Sequence, residues 1–313
     1  MDIDKQLIEK LKIFNEFLVD NYQSKISKDR VKPILSGLGV IKTILQGDTK
    51  DENLLGVDGS YNSYGANYPH QLWMFRGLAK TTRGGQVIQS DILTPLDQQF
   101  RKKVELFSKA RNISPYDGVG FFVKEKLAEM ELDVAIQGAI DLKPSVIFMD
   151  GSLVRYKIES EKKWEKLKKI ILDEGILLAG VIEEIGTKNL TNYLNLGEVY
   201  DREIMFGVLD IGEQFILKEQ IKEGFITAFV RPGEDPQPIA IDCLLEQRGY
   251  MDKLISLAAS LTPRKGRGIP LWLDIVDSEV RITNKVVDGL VENYISPDLR
   301  YKLLTGKRKE RWF

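Results

Sequence analysis

The chain has 313 residues, 43% hydrophobic and 29% charged, with a formal net charge of −1. That suits a globular fold of one large domain or two ordinary ones, without the overall basic excess that advertises nucleic-acid binding. A single cysteine, Cys243, and a single histidine, His70, exclude disulfide frameworks, zinc ribbons, histidine-rich metal sites and histidine-based triads.

The acidic start, Met1 to Asp4, lacks the basic-then-apolar layout of a signal peptide, and no apolar run reaches the ~20 residues of a membrane span. A cytoplasmic location is expected. Ile3, Leu7, Leu11, Phe14 and Leu18 recur at spacings of three and four, which predicts a helix over 4–30 packed on the domain by that stripe. A second helix is predicted over 33–46, opening after Pro33.

Strands are predicted over 53–58, 70–81 and 86–93, joined by short turns as an antiparallel meander, with His70 in the second. Helices follow over 97–111 and 121–140, the latter with Leu127, Met130, Val134 and Gly138 on one side. Val146 to Asp150 is a buried strand. A helix over 161–174, capped by Ser160, leads to another buried strand over 177–182, which makes a parallel crossover unit. Short helices and loops occupy 189–210. Strands are predicted over 224–231 and 238–245, with Cys243 as a core residue, and a helix over 250–261. A basic loop over 262–268 carries Arg264, Lys265 and Arg267. Ile269 to Val276 is a last apolar run, read as a strand. The closing helix is expected to turn Val280, Val287, Leu290 and Tyr294 inward. The tail from Gly306 to Phe313 is basic and aromatic.

One device occurs twice: Leu54-Leu55-Gly56-Val57-Asp58-Gly59-Ser60 and Val146-Ile147-Phe148-Met149-Asp150-Gly151-Ser152. Each is a buried run ending on a carboxylate and a turn. Neighbouring parallel strands would bring Asp58 and Asp150 out side by side at the sheet's carboxyl edge, where ligands bind. Two ionised carboxylates repel there, and a divalent cation removes that cost. A meander, a helix, then parallel strands, with acids on the first and fourth strands, is the layout of the ribonuclease H-like fold. Such a site needs a third acid. Among Glu125, Glu129, Glu131 and Asp133, Glu131 shares the inward side with Leu127 and Ala135. The fourth acid could be Asp274 or Asp277.

Together these pieces resemble the NurA nucleases. The matching stretches are Val57 to Ser60, Met130-Glu131 with Ala135, Phe148 to Leu153, Ala179 to Ile182 and Ile269 to Leu273. The resemblance implies one domain over 1–313: a helical extension over 1–50 and a ribonuclease H-like core over 51–313. It implies a homodimer that cuts DNA with manganese or magnesium in a two-metal site of Asp58, Glu131, Asp150 and Asp277. It further implies 5′-to-3′ exonuclease and single-strand endonuclease activity in end resection, and a HerA-type hexameric translocase as partner. Consistent with a separate motor, the sequence has no Gly-x-x-x-x-Gly-Lys-Ser/Thr loop. Arg264, Lys265 and Arg267 are candidate DNA contacts near that site. Two departures stand out: Glu183-Glu184 where the family often has lysine, and Val276-Asp277 where it usually has Ala-His. They motivate the alternative of a catalytically weak assembly subunit. A sugar-kinase-like phosphotransferase would need an adenosine-binding segment, and none is recognisable.

Overall fold

The computed structural model describes residues 4–20, 28–194, 199–217 and 224–305. The strands in chain order are β1 (Gly39–Thr43), β2 (Leu54–Gly65), β3 (Gln71–Thr81), β4 (Gln86–Leu93), β5 (Val146–Asp150), β6 (Leu177–Ile182), β7 (Glu213–Leu217), β8 (Phe225–Arg231) and β9 (Ile239–Leu244). The helices are α1 (Lys5–Leu18), α2 (Lys28–Leu38), α3 (Gln98–Arg111), α4 (Pro115–Leu142), α5 (Leu153–Glu159), α6 (Glu161–Asp173), α7 (Thr191–Leu194), α8 (Asp201–Met205), α9 (Met251–Ser260), α10 (Leu271–Val280), α11 (Asn284–Tyr294) and α12 (Pro297–Leu303). The fold is ribonuclease H-like, a mixed sheet flanked by helices. Contacts divide the chain into two units, 1–47 with 181–270, and 48–180 with 271–313. No helix among the described residues is long and apolar enough to cross a membrane.

The unit of 48–180 and 271–313 is built around β2. Its strands run in the order β6-β5-β2-β3-β4. The β2-β3-β4 meander is antiparallel, whereas β5 joins β2 in parallel. Leu54 to Val57 are buried because α4 covers one face of β2, at Leu55, and α10 the other, at Gly56. That explains the unbroken apolar run. β5 stops at Asp150 while β2 continues to Gly65, so beyond Asp58 the strand has β3 alone beside it. Ser114 caps α4 through the Asp117 N–H at 3.1 Å. The helix lays Met130, Val134 and Gly138 on the sheet as the spacing predicts; a Cβ at Gly138 would lie 2.9 Å from Leu55 Cδ2.

Several expectations change here. Ile269 to Val276 is not a strand: 271–280 form α10. Leu273, Val276 and Val280 are its buried residues, at helical spacing. An apolar run this short does not separate strand from helix by periodicity. The contact with β2 decides it, since a Cβ at Gly56 would lie 3.0 Å from both Trp272 Cδ1 and Val276 Cγ2. Of the residues expected inward, Val287 is buried in α11 and Val280 at the end of α10, whereas Leu290 and Tyr294 are exposed and α11 buries Val291. His70 is exposed in the turn before β3, where its N–H donates to Asn67 O at 2.7 Å. Ser160 sits at the N-cap of α6 without a side-chain cap bond.

In the unit of 1–47 and 181–270, β1-β7-β8-β9 are antiparallel. Leu35, Met205, Leu209, Phe215 and Phe229 form the core, and Cys243 is buried on β9 as expected. The helix predicted over 33–46 is instead α2 followed by β1, with Pro33 inside α2. Backbone pairing of β1 with β7 overrides the local pattern. β7 had no strong signal in the sequence. α1 ends at Leu18 and buries no residue, so its stripe does not pack on the domain as expected; Ile3 lies outside the described residues. The tail over 306–313 also lies outside them.

Candidate active site

The register of β2 with β5 pairs Leu54 with Val146 and ends at Val57 with Met149. The next residues are Asp58 and Asp150, which therefore leave adjacent parallel strands together. Asp58 is only 7% exposed, and its Oδ1 accepts the Gly59 N–H at 2.7 Å. Burial, then the charges of Asp150 and Glu131, with Asp277 adding to them, raise its pKa from 3.8 to about 8. Three acids, from α4, β5 and α10, thus act on Asp58 of β2.

Glu131 is 1% exposed. It faces β2 so closely that a Cβ on Gly59 would lie 2.7 Å from Glu131 Cγ. Burial raises its pKa to about 7, against the lowering effects of Arg155 and Tyr156. The other candidates on α4 lie elsewhere: Asp133 pairs with Lys163 at 2.6 Å, and Glu129 lies 3.9 Å from the same lysine.

Asp277 sits in the last turns of α10, neither at a strand end nor at a helix start. The capping role that the sequence allowed is therefore absent. Its carboxylate pairs with Arg281, one turn on. Gly56 is what lets α10 approach, and so what brings Asp277 to the cluster.

Two residues escaped the sequence reading. Gly151 turns the chain with φ 106°, and Ser152 starts α5 by accepting the Val154 N–H at 3.2 Å. The first turn and a half of α5 then carries Arg155 and Tyr156 back to the acids. Arg155 ion-pairs with Glu131 and lies over the Tyr156 ring, 4.4 Å from its centroid. Tyr156 is buried and donates to the Asp150 carbonyl at 3.0 Å. Gly180 on β6 gives that turn room: a Cβ there would lie 2.5 Å from Gly151 O. The sequence offered no signal for either residue beyond their place after the second Asp-Gly-Ser.

The donor set suits a hard cation, being carboxylate oxygen throughout. As the side chains stand, no three His, Cys, Asp or Glu among the described residues are arranged to hold one ion. Two of the four acids are engaged by arginine, Glu131 by Arg155 and Asp277 by Arg281. Arginine supplies positive charge where the acids would otherwise face one another.

Arg264, Lys265 and Arg267 belong to the other unit. There Arg264 Nε lies 3.2 Å from Glu234, and Arg267 Nη1 is 3.0 Å from both oxygens of Glu183. The carboxylate that stands where the family often has lysine is thus paired with a cation of its own unit.

No curated protein matches the chain. Among solved structures it is similar to the catalytic domain of human Endonuclease V, at 14% identity and TM-score 0.38, over 80% of this chain and 93% of that one. Drosophila Piwi follows at 11% identity and TM-score 0.35, over 74% of this chain and 30% of that one. The trimeric exonuclease PhoExo I of Pyrococcus horikoshii gives 10% identity and TM-score 0.25, over 61% and 99%. These distant likenesses add no weight to the assignment. The decisive match is to the family model of the NurA domain over residues 52–282, a span that contains Asp58, Glu131, Asp150 and Asp277. The chain belongs to the NurA family of nucleases.

Proposed function

We propose that this chain is a divalent-metal-dependent DNA nuclease whose site is Asp58, Glu131, Asp150 and Asp277. The observation that carries this reading is geometric: Asp58 and Asp150 leave adjacent parallel strands together, and the buried Glu131 of α4 packs against Gly59 beside them. Such an arrangement costs a fold energy and marks a functional site more often than a structural one. Asp58, Glu131 and Asp150 would hold the metal, with Asp277 as a fourth oxygen donor. A pair of divalent ions, magnesium or manganese, supplies charge stabilisation to the attacking and leaving oxygens of a phosphodiester. The protein's own part is to keep the acids close: Tyr156 ties α5 to the Asp150 carbonyl, and Arg155 pairs with Glu131, a pair that would have to be released for Glu131 to hold a metal. Arg264, Lys265 and Arg267 are proposed DNA contacts, the two arginines by exchanging Glu234 and Glu183 for phosphate.

The finer assignments rest on the family. They are 5′-to-3′ exonuclease and single-strand endonuclease activity in end resection, a homodimer, and a HerA-type hexameric translocase as partner. A second reading, a catalytically weak assembly subunit, is favoured by the arginines that occupy Glu131 and Asp277. End-labelled single-stranded and duplex DNA, incubated with magnesium or manganese and with EDTA, separates the two. Metal-dependent cleavage that Asp58→Ala and Asp150→Ala both abolish is expected. Full activity in Asp58→Ala, or cleavage that survives EDTA, would overturn the site. No cleavage by the wild type at any metal concentration would favour the second reading.

A further inference from the structure

The face of β2 that meets Glu131 continues past the acids. Gly59 faces Glu131, and Tyr61 and Ser63 follow on the same side at the strand's period of two. On α4, Gly120, Lys124, Leu127 and Glu131 lie at spacings of four, three and four, which makes one stripe. Between strand and stripe is a cavity of 440 Å³. Trp73, 8% exposed, is part of its lining; Tyr61, Tyr116 and Phe121 are lining residues with exposed rings. Ser63, Gln71, Lys124 and the acid Asp117 supply its polar edge.

We propose that this cavity holds one unpaired nucleobase of the strand whose backbone passes the acids. The proposal rests on the nuclease reading above and names a base subsite for it. Three features point to a base. The walls are aromatic, and base stacking on aromatic rings is tolerant of sequence. The volume suits a small planar ligand. The cavity lies on the same two elements as the acid cluster, β2 and α4, and on α4 Lys124 is the lining residue nearest Glu131 in the stripe, placed for a phosphate. At 1.5 Å per helical residue, Lys124 and Gly120 lie roughly 10 to 16 Å along α4 from Glu131. That is about three to five nucleotides at the 3.4 Å rise of stacked DNA, and fewer in an extended strand. A paired base cannot enter, so the cavity selects a single strand.

The test uses the full chain and two strands of equal length, oligo-dT and the same backbone with abasic residues throughout. Binding is read by fluorescence anisotropy in EDTA, so cleavage plays no part. Tyr116 is 61% exposed, and Tyr116→Ala should leave the melting temperature unchanged. It should weaken oligo-dT by about tenfold, or about 1.4 kcal/mol, and leave the abasic strand as it was. Tyr116→Phe should restore wild-type affinity. Equal affinity of the wild type for the two strands overturns the inference, as does an equal loss on both strands in Tyr116→Ala. A second arm scans one abasic residue through the five positions beside the cut, with magnesium or manganese. A single sensitive position is expected, and a flat scan overturns the subsite while leaving the nuclease reading intact. Absence of cleavage by the wild type would sink the nuclease reading instead, while the anisotropy arm still decides the subsite.

Discussion

Asp58→Asn removes a buried charge without changing shape, and its effect should depend on pH in a calculable way. The Asp58 carboxyl titrates at about 8 in the fold against 3.8 ordinarily, chiefly through burial and then Asp150 and Glu131. Because the folded value is the higher one, the fold holds a proton between those limits that the unfolded chain has lost. Stability therefore falls as pH rises from about 4 to about 8. At 1.36 kcal/mol per pH unit the ceiling on this loss is about 2 kcal/mol at pH 5.5 and about 6 kcal/mol at pH 8.5. Water entry and side-chain relaxation reduce both to a fraction of the ceiling. Asparagine does not titrate. With about half the ceiling realised and 2–4 °C per kcal/mol for a fold of this size, metal-free Asp58→Asn should melt about 6 °C or more above wild type at pH 8.5. The gain should be less than half of that at pH 5.5. Magnesium should raise the wild-type melting temperature at pH 8.5 and leave the variant's unchanged. Differential scanning fluorimetry at both pH values, with EDTA or magnesium, reads all four conditions. A gain independent of pH, or a variant less stable than wild type at pH 8.5, would refute the reasoning.

Two further substitutions probe the same site. Gly59→Ala puts a methyl 2.7 Å from Glu131 Cγ and 2.9 Å from Leu127 Cδ1; it should cost about 1–3 kcal/mol in overpacking and lower cleavage by displacing Glu131. Wild-type activity and stability together would show that Glu131 does not need this approach. Asp277→Asn should change stability by less than about 1 kcal/mol, since its pair with Arg281 is partly exposed. It should nonetheless reduce magnesium- and manganese-dependent cleavage severalfold, and the wild type should work poorly with cobalt or nickel, because its ligands are hard oxygens alone. Wild-type rates for Asp277→Asn across a metal titration would leave the site with three acids.

What the sequence determined by itself is the part encoded in contiguous runs. An apolar run buried on both faces, ending on Asp-Gly-Ser, reads as a central strand with an acid at its edge; β5 ends at Asp150 as read, whereas β2 runs on through Asp58-Gly59-Ser60 to Gly65 because β3 pairs with it there, so the first Asp-Gly is not a turn. The inward side of α4 was equally legible, because Met130, Val134 and Gly138 fix the helical phase that turns Glu131 to the sheet. The rest depended on contacts that no local window contains. Whether Ile269 to Val276 coils or extends was decided by the space above Gly56, and with it the place of Asp277 in a helix. Whether 39–43 became a strand was decided by pairing with β7. Arg155 and Tyr156 entered the site only because Gly151 turns the chain and Gly180 lets the turn close against β6. Side-chain periodicity records which face is buried; it does not record what that face meets, and the charge partners of a buried acid are set by what it meets.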